Sequence, residues 1–220
     1  MPPFLSLSID FLNNIDYGEE FEKYILDHPV VKGGMTFAVR SSAMNEDNEI
    51  NSFAGIYETY LDVKKENIAD KVVSVLGSIN SPRSMHYMIK KNIGSGSMGV
   101  IIQQMLKPDY AGVYFSVSPV ENNRNIALLE VVKGNCDELV SGRKTPASIR
   151  INKITQATRI QNSGSDNIDP GIISNIKDLL MPFAKKIEKI YVKPVDIEWA
   201  IEKRKVYILQ CRYITTMHTK

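Results

Sequence analysis

At 220 residues, with 43% hydrophobic and 24% charged residues, the chain has the composition of an ordinary globular protein, long enough for one substantial core or two small lobes. A formal charge of +2, with no basic run interleaved with aromatics, argues against a nucleic-acid partner. No apolar run is long enough to cross a bilayer, and Met1-Pro2-Pro3-Phe4-Leu5 lacks the basic and apolar regions of a secretion signal, so a cytoplasmic protein is expected.

In chain order, residues 9–27 mix apolar and acidic positions at helical spacing, interrupted by Gly18, which predicts a helix in two pieces. Met35–Arg40 reads as a short strand and 43–55 as a polar loop. Tyr57–Val63 alternates as a strand, and Asn67–Ile79 carries the apolar spacing of an amphipathic helix. Ser81-Pro82 opens another helix, with a capping hydroxyl and then proline in the first turn. Met98–Met105 and Ala111–Val117 are β-rich runs either side of Lys107-Pro108-Asp109, which predicts an antiparallel pair. Asn125–Val132 is a further strand, Lys133–Pro146 a glycine-containing loop, and Ala147–Ile160 gives one or two edge strands. Asp169-Pro170 opens a long helix to about Tyr191. The sum is an α+β chain, with a mostly antiparallel sheet and helices enclosing a cleft.

The sharpest signal is at the end. Pro194–Ile201 and Val206–Arg212 alternate on either side of Glu202-Lys203-Arg204-Lys205, which reads as a β-hairpin. Pairing centred on Arg204 sets Asp196 opposite Arg212 and Glu198 opposite Gln210, all on one face. Ile197, Trp199, Ile201, Tyr207, Leu209 and Cys211 then form the apolar face. Oxygen ligands suit Mg²⁺ and an adjacent arginine suits phosphate; an amphipathic hairpin with a solvent-side Asp–Arg pair fits the same pattern. Elsewhere, Arg40-Ser41-Ser42 ends a strand with phosphate-type donors. The Gln103-Gln104-Met105-Leu106 connector could hold a flat aromatic base through its backbone amides. Each of these strings also has an ordinary structural reading. The cysteines, Cys136 and Cys211, sit in no paired motif and are expected as buried free thiols. His28, His86 and His218 show no metal-ligand spacing.

Taken together and in order, the segments resemble the nucleotide-binding domain of the pyruvate phosphate dikinase and phosphoenolpyruvate synthase family, an ATP-grasp fold. The family patterns V-R-S-S-A-x-x-E-D, S-F-A-G-x-x-x-T, S-x-R-A-x-x-Y and V-x-V-Q-x-M correspond to Val39–Asp47, Ser52–Thr59, Ser81–Tyr87 and Val100–Met105. A-G-V-x-F-T-x-x-P, G-L-G-E-x-L-V-S-G, D-I-E-W and L-Q-x-R-P-I-T correspond to Ala111–Pro119, Gly134–Gly142, Asp196–Trp199 and Leu209–Thr215. The resemblance covers 37–215, with 1–36 divergent and shortened, inside a single ATP-grasp-like domain spanning 1–220. It implies that Glu198 and Gln210 ligate the Mg²⁺ bridging the phosphates of ATP, with Asp196 as a further ligand or support. It also implies that Arg40 and Arg212 hold the phosphates through transfer, and that Gln103, Gln104, Met105 and Leu106 form the adenine hinge.

Several positions depart from the family. A lysine-bearing G-G-K-G-type opening is not seen before Pro2–Ser8, which resembles the stretch that follows it, and Asp16–Met35 is short. Cys136 replaces a glycine, Asp137 a glutamate, Ala147 an aspartate and Tyr213 a proline. The expectation is a truncated domain, without carrier-histidine or barrel domains. It would have a thinner small lobe and a more exposed nucleotide cleft. It would pass a phosphoryl or pyrophosphoryl group from ATP to a histidine carrier on another chain, a phosphocarrier or catalytic subunit. The alternatives are a component of an ATP-dependent small-molecule kinase and a degenerate nucleotide-binding module without turnover.

Overall fold

A computed structural model describes residues 1–43, 56–91, 97–118, 121, 123–136, 139 and 142–214. The chain divides into two compact units, Pro2–Met105 and Leu106–Lys220, with Met1 grouped with the second. Both are α+β, with antiparallel sheets and flanking helices, the predicted class.

In the first unit β1 (Phe4–Leu7), β2 (Thr36–Ala43), β3 (Thr59–Lys64) and β4 (Met98–Gln104) form a sheet in the order β1-β4-β2-β3. The predicted helix break is present. α1 (Ile9–Asn14) is capped by Ser8, whose Oγ accepts from Phe11 N, and α2 (Glu19–Asp27) starts after Gly18. α3 (Pro29–Gly33), α4 (Ile68–Gly77) and α5 (Pro82–Lys91) follow. Phe37, Val39, Val100 and Ile102 point to one side of the sheet and are fully buried with Phe21, Ile25, Ile68 and Val72. The alternate residues Ala38, Arg40, Ile101 and Gln103 share the other face, set by the pairs Ala38–Gln103 and Arg40–Ile101.

α5 begins as its sequence indicates: Ser81 Oγ accepts from Ser84 N, and Pro82 takes the first turn. Ser84, where the family pattern has alanine, is completely buried, and its hydroxyl has no hydrogen-bond partner among the described residues. Removing that hydroxyl relieves an uncompensated desolvation and restores the better helix former. Ser84→Ala is therefore expected to stabilise the chain by about 1 kcal/mol, read as a shift of the urea midpoint at unchanged slope.

The second unit is a sheet of β5 (Tyr110–Phe115), β6 (Ile126–Lys133), β7 (Ala147–Asn152), β8 (Thr158–Asn162), β9 (Val195–Glu202) and β10 (Lys205–Tyr213). Its order is β10-β9-β5-β6-β7-β8 and every neighbouring pair is antiparallel. β8 is exposed along its length, as expected of an edge strand. One sheet face is covered by α6 (Pro170–Tyr191), whose Asp169 cap accepts from Gly171 N and Ile172 N. Trp199, Tyr114, Ile197, Leu129, Ile149 and Ile151 fill the space between sheet and helix. Tyr114 Oη donates to Glu188 Oε1 at 2.8 Å, and Lys153 Nζ donates to Glu188 Oε2 at 2.7 Å, tying α6 to the sheet. Burial, with the adjacent Glu188 carboxylate, drives the Tyr114 phenol far above its ordinary pKa.

Two expectations are corrected. β4 and β5 are not a hairpin: β4 pairs with β1 and β2, and β5 pairs with β6 and β9. Lys107-Pro108-Asp109 has turn chemistry but connects the two sheets. Its Lys107 N–H donates to Glu202 Oε1 at 2.7 Å, and Asp109 Oδ2 accepts from Lys203 N at 2.8 Å. The strand Phe4–Leu7 was not anticipated, because its partner lies far along the chain at Val100–Gln103. Among the described residues no helix is long and apolar enough to cross a membrane.

Candidate functional site

The closing hairpin is turned by Lys203 and Arg204, both with positive φ (49° and 64°), between Glu202 and Lys205, which pair directly. Two left-handed residues give the tight turn whose twist matches the flanking strands. The register shifts by one between Ile208 and Gln210, with Leu209 as the extra residue. Beyond this bulge the predicted pairs hold: Gln210 faces Glu198 and Arg212 faces Asp196. Before it they do not. Tyr207 pairs with Ala200, and Leu209 packs with Ala111, Val113 and Ala200 on the face of Glu198. Val206 and Ile208 take their place against the α6 core, where Ile197, Trp199, Ile201 and Cys211 lie as expected. Of the two free cysteines Cys136 is buried, as expected, but Cys211 is only partly so.

Arg212 occupies the centre of this face. Its Nε donates to Asp196 Oδ1 at 3.3 Å and its Nη2 to Glu198 Oε1 at 3.1 Å. The side chains are 24%, 20% and 15% exposed, so the charges are partly shielded yet reachable from solvent. Two carboxylates already converge on one cation, and Gln210 stands beside them in strand register with Glu198. An all-oxygen donor set of this kind fits Mg²⁺, which keeps several waters and needs few protein ligands. Among the described residues no three His, Cys, Asp or Glu side chains gather as a metal cage. Glu198 and Gln210 are the residues on this face whose side-chain oxygens could hold such an ion.

The other expected residues lie in the first unit or on the connector. Arg40 sits on β2 opposite Ile101 and Thr59, half-buried, beside the buried Ser41. Gln103 is buried on the same face as Arg40. Gln104 points the other way, and its Nε2 donates to Val30 O at 2.7 Å. The backbone N–H of Gln104 donates to Pro3 O, that of Met105 to Thr36 O, and that of Asp109 to Ile201 O. Lys107 N–H is taken by Glu202 and Pro108 has none, so Leu106 is the one connector residue whose N–H has no partner among the described residues. The motif residues Met44–Gly55, Pro119, Asp137, Glu138, Val140, Ser141 and Thr215, and the histidine His218, lie outside the described residues.

Glu130 was not anticipated. It lies on β6 opposite Val113, which in turn lies opposite Glu198. A lone acid in Ile126-Ala127-Leu128-Leu129-Glu130-Val131-Val132 was the available signal. Partial burial raises its carboxyl above the ordinary range. An acid whose pKa is raised by folding costs stability when charged. The cost is absent below the ordinary carboxylate range and grows as pH rises through the raised value. Relative to Glu130→Gln, the intact chain should therefore lose stability over that interval and no further above it, as measured by denaturant unfolding across pH.

The sheet face so built, with paired carboxylates, a carboxamide and an arginine on a hairpin beside an apolar floor, defines a candidate cation-and-phosphate site. The model of the family "Pyruvate phosphate dikinase, AMP/ATP-binding domain" matches residues 19–176 and 172–220, and the chain belongs to that family. A probable phosphoenolpyruvate synthase of Methanocaldococcus jannaschii is 32% identical over 83% of this chain and 17% of its own length. An uncharacterised phosphotransferase of Bacillus subtilis is 34% identical over 82% of this chain and 24% of its own. A rifampicin phosphotransferase of a Streptomyces species is 29% identical, again over 82% and 24%. The chain thus spans about a quarter or less of these curated relatives.

Proposed function

We propose that this chain binds Mg·ATP in an ATP-grasp manner and passes a phosphoryl or pyrophosphoryl group to an acceptor outside the described site, with a histidine carrier as the acceptor class. The observation that carries this reading is Arg212 held between Asp196 and Glu198, with Gln210 paired beside them. The arrangement keeps one arginine and two carboxylates poised on a strand pair rather than on a loop, so little reorganisation is needed when phosphates arrive. Glu198 and Gln210 would hold the metal, which would supply neutralisation of phosphate charge, while Asp196 orients Arg212. Arg212 then exchanges carboxylate for phosphate oxygens and steadies the charge that develops in transfer. The Leu106 N–H supplies the donor that a flat base needs at the connector. Relatives named synthase or phosphotransferase support the class of reaction.

The test is calorimetric titration of the intact chain and Arg212→Ala with Mg·ATP. Saturable binding by the intact chain, about 10- to 100-fold weaker in the variant, is expected from loss of charge-assisted contacts to phosphate. Equal affinity in the two proteins would remove Arg212 from the site. Absence of binding by the intact chain would overturn the reading.

A further inference from the structure

Glu130, Val113 and Glu198 lie in direct register on β6, β5 and β9, so their side chains share one sheet face. Two interstrand spacings, about 10 Å, separate the backbones of the two acids. Glu130 is partly buried, yet has no hydrogen bond or ion pair among the described residues. Beside it the short side chains of Ala111, Val113 and Ala200 make an apolar floor bordered by Leu106 and Leu209. A carboxylate at the edge of such a floor, without a donor of its own, is placed to receive one from a ligand.

The chemistry of ATP narrows what that donor is. The triphosphate offers only acceptor oxygens and negative charge, which a carboxylate repels. A cation shared by Glu130, Asp196 and Glu198 is not supported, since the described residues contain no three-ligand cluster. The donors left are the adenine amino group and the ribose hydroxyls. The connector, with its open Leu106 N–H, matches the edge of the base. The hydroxyls are the group left for Glu130.

We propose that Glu130 accepts hydrogen bonds from the 2′- and 3′-hydroxyls of the nucleotide ribose and so selects ribonucleotides. This rests on the nucleotide-binding reading above and goes beyond it by assigning the sugar. Val113 spaces the carboxylate from Glu198, so one acid meets the sugar while the other serves the metal. An adjacent hydroxyl pair presents two donors to the two oxygens of one carboxylate, a bidentate match.

The test compares Mg·ATP with Mg·2′,3′-dideoxy-ATP in titrations of the intact chain, Glu130→Ala and Glu130→Gln. The intact chain should prefer ATP by about 10- to 100-fold, the worth of one or two charge-assisted hydrogen bonds. Glu130→Ala should bind ATP as weakly as the dideoxy analogue and leave the analogue's affinity unchanged. Glu130→Gln, which retains one acceptor oxygen, should fall between. Melting of the variants without nucleotide should be no lower than that of the intact chain, because a half-buried unpartnered carboxyl has been removed. The assignment is overturned if the alanine variant weakens both nucleotides equally, if its preference for ATP persists, or if the intact chain binds both alike. An intact chain that binds neither nucleotide overturns the nucleotide reading itself, and this assignment with it.

Discussion

Glu198→Ala is expected to reduce Mg·ATP binding by at least about 100-fold, the largest functional effect of any single substitution in this chain. Glu198 is the less exposed of the two carboxylates at 15% and accepts from Arg212 at 3.1 Å. Without it, Gln210 would offer a metal a single neutral oxygen, and Arg212 would lose one of its two carboxylate contacts and keep the one to Asp196. The guanidinium is then drawn into a closed pair with Asp196 and withheld from phosphate. Gln210→Ala removes a neutral ligand and leaves both carboxylates in place, so its effect should be smaller, about tenfold. Titration of the two variants with ATP at fixed Mg²⁺ gives the order. An order reversed from this one would assign the metal to the carboxamide side of the hairpin.

Gly112→Ala should be the most damaging single change to the fold. A Cβ at Gly112 would stand 1.8 Å from Glu130 O and 2.9 Å from Trp199 Cζ2. The first neighbour is backbone held in the β5–β6 ladder, and the second belongs to a completely buried indole under α6. Neither yields without opening the sheet or the core, so overpacking is expected to cost about 3 kcal/mol. Denaturant unfolding should show a lower midpoint at unchanged slope, or the variant should be insoluble. Gly112 pairs with both Val131 and Trp199, so the strain also reaches the strands that carry Glu130 and Glu198. Unchanged stability would contradict the packing of Trp199 across the glycine. The requirement also explains the glycine of the A-G-V segment in terms of contact.

The strand pairing at the end of the hairpin was legible in the sequence, but partly through two cancelling departures. Pairing centred on Arg204 gave Asp196–Arg212 and Glu198–Gln210, which the structure has. The real turn is the two residues Lys203 and Arg204, and the bulge at Leu209 restores the offset. Lys-Arg carries none of the glycine or asparagine chemistry that marks such a turn, so the turn was invisible and Tyr207 and Leu209 were put on the wrong face. Local helix signals at Gly18, Ser81-Pro82 and Asp169-Pro170 were sufficient, because caps act within one turn. Strand partners were not, since β1–β4 and β5–β9 join segments about ninety residues apart and nothing local encodes them. Pro108-Asp109 therefore read as a hairpin turn when it is a connector. Glu130 was missed because its meaning depends on which strands become neighbours of β6.

The most direct measurement of the central account is electron paramagnetic resonance of Mn²⁺, used in place of Mg²⁺, with the intact chain and ATP. The account predicts a bound Mn²⁺ signal that needs both chain and nucleotide and disappears in Glu198→Ala. A bound signal of equal intensity in that variant would contradict the hairpin as the metal–phosphate site.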